Sequence, residues 1–186
     1  MQKSDEIDGW FDFQHLYNKL VDNIPKNGTF VECGAWLGKS SAYLCDLVSH
    51  RRPDISIYIV DSWQGSEDEL TSTHKLATTH NIYELFLENM GNRKFTPIKA
   101  MSVDAAKQFN DNSLDVIFID MCHTYECVKS DLDAWFPKLK STGIMAGHDY
   151  SWAGVSKAVH EKFGRTTIQS MCGCWMYNYH EGEANG

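Results

Sequence analysis

The stretch Thr29-Phe-Val-Glu-Cys-Gly-Ala-Trp-Leu-Gly-Lys-Ser-Ser41 restricts the fold of this chain more than any other. A short apolar run, Phe30 and Val31, ends on a carboxylate, Glu32. Gly34 and Gly38 follow at a spacing of four, and then a run with helical character from Ser40 to Val48. Strand, glycine turn and helix form the opening half of a βαβ unit. Glycine lets the backbone approach a ligand closely, and a helix N-terminus presents free N–H groups, so a nucleotide-like ligand can sit at such a turn.

The rest of the chain alternates in the same way. Residues 9–23 have apolar side chains at helical spacing and stop before Pro25; with its flanks, 1–26 reads as an N-terminal helix region. The first strand is expected over 29–33 and its helix over 39–49. Ile55 to Asp61 is a continuous apolar run, as a buried parallel strand requires, and again ends on a carboxylate. Further strands are expected over 95–100, 114–120 and from Ile144, with helices over 80–90, 102–109, 124–139 and 154–163. The helix over 124–139 rests on the spacing of Val128, Leu132, Trp135 and Leu139. The segment 62–94 is the least regular and reads as a variable lid, its Gly65 to Glu69 a polar loop. The tail, 165–180, reads as two strands about Cys172-Gly173, a terminal antiparallel hairpin. Alternation of strands and helices implies a parallel sheet with helices on both faces, and ligands of such sheets lie beyond the carboxyl ends of the strands. Glu32, Asp61, Asp120 and the pair His148-Asp149 all reach that one edge.

Composition bounds the function. Of 186 residues, 42% are hydrophobic and 23% charged, which suits a single globular domain burying roughly 70% of its unfolded surface. A net charge of -8 argues against a nonspecific nucleic-acid binder, which needs a basic face. No apolar run reaches the ~18 residues of a membrane span. Met1 to Trp10 is polar and acidic, unlike a signal peptide, so a cytoplasmic protein is expected. Six cysteines sit mostly in apolar segments and are expected to stay reduced.

The ligand can be narrowed further. Asp61 closes the strand after the glycine turn, where a carboxylate can accept hydrogen bonds from both ribose hydroxyls or cap the following loop. The turn lacks the dinucleotide pattern G-x-G-x-x-G, because Trp36 would crowd a pyrophosphate, and it lacks the Walker sequence. An edge rich in acid suits a nucleoside that carries positive charge, such as S-adenosylmethionine.

The motifs then resemble a family. Val31 to Ser40 resembles the first motif of class I S-adenosylmethionine-dependent methyltransferases, close to the E-x-G-[AS]-[YFW]-x-G-x-S form of catechol-type O-methyltransferases. Phe118 to Glu126 with Asp131, then Gly147-His148-Asp149-Tyr150 and Gly154-Val155, resembles the methyltransferase 24 family; the similarity spans residues 28–163. It implies a Rossmann-like, doubly wound α/β fold with a seven-stranded sheet in the order 3-2-1-4-5-7-6, strand 7 antiparallel. It also implies that Glu32 holds the methionine amino group, directly or through water, and that Gly34, Ala35, Trp36, Gly38, Lys39 and Ser40 wrap the methionine part. Asp61 would take the ribose, Ser62 and Trp63 would stand beside the adenine, and Met101 and Ser102 would flank it. Asp120 would end beside the methyl group, with His123 where related enzymes carry a lysine or histidine base; capping of Glu126 or packing on Tyr125 is the other use of His123.

A divalent metal, magnesium or manganese, is a second candidate cofactor. Related enzymes chelate magnesium with the strand-four aspartate and a pair after strand five. Asp120 and Asp149 match, whereas His148 replaces the usual first acid, and magnesium prefers hard oxygen ligands. His148 and Asp149 could instead bind the acceptor or orient Asp120. Trp152 could pack on a sugar or aromatic acceptor or belong to the edge of the core. The expected activity is methyl transfer to a hydroxyl of a small polar acceptor such as a sugar or glycan precursor, in a chain with no nucleic-acid or membrane partner; a homodimer is the default assembly. The rival readings are a nicotinamide-dependent oxidoreductase and a noncatalytic S-adenosylmethionine-binding protein.

Overall fold

The apolar runs become strands β1 (Thr29–Cys33), β2 (Ser56–Asp61), β3 (Thr96–Lys99), β4 (Leu114–Ile119), β5 (Leu139–Gly147), β6 (Ile168–Met171) and β7 (Cys174–Asn178). They form one seven-stranded sheet in the order β3-β2-β1-β4-β5-β7-β6. Strands β1 to β5 pair in parallel, and β7 lies antiparallel to β5 and β6. This is the expected doubly wound topology with strand 7 reversed. The helices are α1 (Gln14–Asn23), α2 (Lys39–Arg51), α3 (Ile82–Met90), α4 (Ser102–Ala106), α5 (Tyr125–Trp135) and α6 (Ala153–Phe163). This computed structural model describes residues 2–65, 76 and 78–178; the acidic run Glu67 to Glu69, His74, Tyr179 and the middle of the expected lid lie outside the described residues.

Successive side chains of a strand face opposite sides of a sheet, and the core divides by that rule. Phe30, Ile57, Ile59, Phe118 and Ala146 pack into one cluster with residues of α1, α2 and α3. Their neighbours Val31, Val60, Ile117, Ile119 and Met145 pack into the other with α4, α5 and α6. Each buried Val, Ile, Met or Phe side chain among these contributes about 1.5–3 kcal/mol.

Several boundaries differ from the expected ones, such as the helix expected over 102–109, which ends at Ala106; two have a clear cause. The first helix begins at Gln14 rather than at residue 9. Gly9, with φ of +135°, is itself outside helical geometry, and the buried side chains of Ile7 and Phe13 pin the segment before α1 to the core. Helix α5 stops at Trp135, because Pro137 in the short 3-10 turn Phe136–Lys138 supplies no N–H to continue it. Leu139 is therefore the first residue of β5, not the last turn of a helix.

Backbone hydrogen bonds carry the sheet past the strand ends and lock the ligand edge together. Gly34 N–H donates to the Val60 carbonyl at 2.9 Å, Asp120 N–H to that of Cys33 at 2.7 Å, and His148 N–H to that of Ile119 at 3.2 Å. Among the described residues, no helix is long and apolar enough to cross a membrane.

Candidate active site

The glycine turn is shaped by contact and by charge. Gly34 has φ of +96°, and a Cβ there would lie 1.7 Å from the Asp120 carbonyl oxygen. Only a residue without a side chain lets the turn pass so close to the end of β4. The next residues are held by Asp61. Its Oδ2 accepts hydrogen bonds from the Ala35 and Trp36 N–H groups at 2.8 and 2.9 Å, and its Oδ1 accepts from Trp63 N–H at 2.7 Å. Burial pushes the Asp61 carboxyl above its ordinary pKa, against the pull of these backbone bonds. With the Ser62 N–H as a further backbone donor, about four lone-pair sites of the carboxylate are engaged in shaping the turn. Trp36 adopts a left-handed φ of +48°, and the turn ends at Gly38, the cap of α2, followed by Lys39 and Ser40.

Glu32 shares the sheet face of Phe30 and is fully buried. Its Oε1 accepts from the Tyr17 hydroxyl at 2.7 Å, and its Oε2 accepts from the Ser41 hydroxyl at 2.6 Å. Burial raises the Glu32 pKa, while hydrogen bonds from Ser40, Ser41 and Tyr17 pull it back down. The carboxylate therefore lies beneath the turn and ties it to α1 and α2. Neither Tyr17 nor Ser41 stood out in the sequence; both are ordinary apolar-face and helix-start positions.

The residues on the β2–β3 side divide between surface and core. Met101, at the start of α4, is 59% exposed. The Ser62 hydroxyl accepts from Gln64 N–H at 3.2 Å. Trp63 is buried; its indole N–H donates to the Trp36 carbonyl at 3.0 Å, and its ring packs on Tyr83 and Phe86. Ser102 is also buried and accepts from the Trp135 indole N–H at 2.8 Å. Its hydrogen bond to Asp131 opposes the burial that raises that carboxyl to a pKa of about 6.

Beyond the ends of β4 and β5, four side chains converge. His123 Nε2 lies 2.8 Å from Asp149 Oδ2. His148 Nδ1 lies 3.3 Å from the same Asp149 oxygen and 3.8 Å from Asp120 Oδ1. Asp149 takes a left-handed φ of +54°, and a Cβ on Gly154 would come within 2.5 Å of the His123 carbonyl oxygen, so the start of α6 packs directly on the loop carrying His123. Trp152, 51% exposed, lies over the His123 ring with centroids 4.8 Å apart. Burial lifts Asp120 to a pKa of about 7; the histidines oppose this shift and Asp149 adds to it. Burial also lowers the His148 pKa, but the hydrogen bond to Asp149 and the charges of Asp120, Asp149 and Asp12 outweigh it, giving about 9. For Asp149 burial acts upward, and the hydrogen bonds from His123 and His148 overcome it and hold the carboxyl well below its usual range. A histidine oriented by an ionised carboxylate, with a second carboxyl of pKa about 7 on the same edge, is an arrangement suited to moving a proton at neutral pH. Asp120, His123 and Asp149 also offer ligand atoms that all lie within 4.8 Å of one another, close enough to converge on one metal ion. His80, within the variable segment 62–94, is exposed.

A seven-stranded sheet of this order, with the glycine turn and the acidic edge at its carboxyl ends, defines a Rossmann-like methyltransferase fold. The chain aligns with the O-methyltransferase NovP at 19% identity and a TM-score of 0.67, over 89% of this chain and 78% of that one. It aligns with CalS11, a TDP-rhamnose 3'-O-methyltransferase of calicheamicin biosynthesis, at 13% identity and a TM-score of 0.62, over 89% and 77% of the two chains. The Streptococcus mutans protein SMU.1697c, solved in complex with SAH, aligns at 11% identity and a TM-score of 0.55, over 91% and 98%. Residues 31–150 match the model of the methyltransferase 24 family, a methyltransferase domain, and the chain belongs to that family. Over 122 residues it is also 27% identical to the uncharacterized protein y4gI of Sinorhizobium fredii, a match that takes in 64% of this chain and 13% of that longer protein.

Proposed function

We propose that the protein is an S-adenosylmethionine-dependent O-methyltransferase whose acceptor is a hydroxyl of a small polar molecule, a sugar or glycan precursor. The observation that carries this reading is the placement of the His123–Asp149 pair, 2.8 Å apart, on the same sheet edge as the glycine turn. Family membership and the likeness to NovP and CalS11 support it.

The chain fits such a cofactor. Gly34 to Ser40 gives a turn that passes over the end of β4 with no side chain at its tightest point, and the Asp61 carboxylate beside it takes a ribose hydroxyl by exchanging one of its backbone donors. Met101 offers an exposed apolar surface for one face of the adenine, with Ser62 nearby and Trp63 and Ser102 bracing the walls from within the core. Glu32, Asp61, Asp120 and Asp149 together give the edge a negative potential suited to an ammonium and a sulfonium. Glu32 acts from beneath the turn, its charge held by Tyr17 and Ser41. S-adenosylmethionine supplies a methyl group on a sulfonium leaving group, so the protein mainly positions the acceptor and removes its proton.

His123 Nε2–H donates to Asp149 Oδ2 at 2.8 Å, so Nδ1 is the nitrogen that takes that proton. The Asp149 carboxylate fixes this tautomer and stabilises the imidazolium that results, and the packing of Trp152 and of the start of α6 fixes the ring. Asp120, whose pKa is pushed up to about 7 by burial, stands between the turn and the pair and accepts a hydrogen bond from the acceptor when ionised.

The same three side chains also fit a divalent cation. Asp120, Asp149 and His123 would hold it, and the ion would supply Lewis-acid polarisation of the acceptor oxygen. Two carboxylates and an imidazole suit manganese or zinc better than magnesium. In that state His123 is a ligand rather than a base, so the two roles separate by metal dependence.

The test is to incubate the protein with S-adenosylmethionine and a panel of free and nucleotide-linked sugars, with and without manganese, and to follow S-adenosylhomocysteine release. Methyl ether formation on a sugar hydroxyl is expected. His123→Ala should remove turnover while S-adenosylhomocysteine affinity stays within ~3-fold, a difference of under about 0.7 kcal/mol. Undiminished turnover in that variant would assign the proton transfer to another residue.

A further inference from the structure

We propose that Asp12, which lies outside the family-matched residues 31–150, is a positioning residue of this site: it fixes the His148 ring against Asp149. The proposal rests on the methyltransferase reading only in treating this edge as the site.

The segment before α1 crosses the ligand edge between two anchors, Ile7 and Phe13, both buried. Gly9 passes alongside Trp36 and Lys39 of the glycine turn, where a Cβ on it would lie 3.8 Å from both side chains. Three residues later the Asp12 carboxylate reaches His148, with Oδ1 3.1 Å from Nε2. The Phe13 ring packs on the same imidazole with centroids 4.8 Å apart and planes at 42°. On the opposite side, His148 Nδ1 faces Asp149 Oδ2 at 3.3 Å. One imidazole is thus bracketed by a carboxylate on each nitrogen and held in plane by an aromatic ring.

The imbalance in burial decides what Asp12 does. Its side chain is 75% exposed, whereas that of His148 is 17% exposed. An ion pair with one partner in water adds little to stability, so Asp12 contributes orientation rather than folding energy. The orientation matters because Asp149 Oδ2 is shared: it faces His123 at 2.8 Å and His148 at 3.3 Å. When Asp12 holds the far nitrogen, the near one stays on Asp149 and the His123–Asp149 geometry is defined. Without it the ring keeps its packing on Phe13 but loses one of the carboxylates that fix its orientation, and its contact with Asp149 Oδ2 loosens. An element outside the family-matched residues thereby sets the geometry of the residues within them.

The experiment uses the full chain as wild type, Asp12→Asn, Asp12→Glu and, on the same segment, Asp8→Asn. Imidazole nitrogen–proton spectra at one fixed pH, with the His148 signals assigned through His148→Gln, report the ring. Mass-mapped diethylpyrocarbonate labelling reports its accessibility. In Asp12→Asn the His148 ring resonances should shift and labelling should rise at least ~3-fold, while the melting temperature stays within about 2 °C. Asp12→Glu should restore the wild-type ring signals, and Asp8→Asn should leave them unmoved. Unchanged His148 signals and labelling in Asp12→Asn would overturn the proposal, and so would a fall in melting temperature without any change at His148. Affinity of the wild type for S-adenosylhomocysteine, measured on the same samples, tests the methyltransferase reading separately.

Discussion

Tyr17→Phe probes the support beneath the glycine turn by removing a single oxygen. Tyr17 and Glu32 are both fully buried, and the lost hydroxyl is the donor to Glu32 Oε1 at 2.7 Å. A buried hydrogen bond to a charged group is worth about 1.5–3 kcal/mol. For a domain of this size, 1 kcal/mol moves the melting temperature by about 2–4 °C, so the variant should melt roughly 3–12 °C lower near pH 8. The sign of the pH dependence follows from Glu32. Burial raises its folded-state pKa above the ordinary 4.5, and the Tyr17 hydroxyl is one of the groups that lowers it. A group whose pKa is raised by folding favours the folded state most below its unfolded pKa, and that contribution is lost as pH rises through the folded value. Removing the hydroxyl raises the folded value further, so the variant's deficit should be largest at alkaline pH and shrink as the pH falls through the folded values and Glu32 becomes protonated. Circular-dichroism melts of both proteins across this range make the test. A deficit of the same size at every pH, or one below about 0.5 kcal/mol, would refute the role given to this bond.

Gly34→Ala should abolish the folded state as judged by circular dichroism and size exclusion, because the new Cβ would lie 1.7 Å from the backbone oxygen of Asp120 at a φ of +96°; a variant melting within ~2 °C of wild type would contradict the close approach of turn and strand. Ser102→Ala leaves the buried Trp135 indole N–H without its 2.8 Å acceptor and should cost about 1–3 kcal/mol in urea denaturation. The same variant should raise the Asp131 pKa above its present value of about 6, since Ser102 is what holds it down, and a carboxyl titration that does not move would contradict that pairing.

How far the sequence could be read depended on whether the deciding interaction was local. The glycine turn, the apolar runs and the helical spacings are local signals, and they led to the parallel sheet and to the carboxyl edge carrying Asp120, His148 and Asp149; the strand order and the place of His123 came from the family resemblance. Glu32 was half legible. Its strand extends to Cys33, and period-two alternation places the carboxylate on the face of Phe30, under the turn, rather than at the open edge. Asp61 showed its position but not its bonds, because the Ala35 and Trp36 N–H groups turn toward it only once Gly34 has reversed the chain. Leu139 fitted the helical spacing of Val128, Leu132 and Trp135, but Pro137 overrode it and made it a strand residue. Asp12 carried no local signal, since its partner His148 comes from a different strand end, and only packing of Phe13 against the sheet brings the two together. Trp63 read as an edge residue for the same reason: nothing near it in sequence announces Tyr83 and Phe86.

The central claim, that this edge binds S-adenosylmethionine, is tested most directly by calorimetric titration of the protein with S-adenosylhomocysteine, with and without manganese. The account predicts saturable binding of one molecule per chain, lost in Gly34→Ala only with the fold itself and kept in His123→Ala. Absence of binding up to millimolar ligand, by wild-type protein that melts cooperatively, would contradict it.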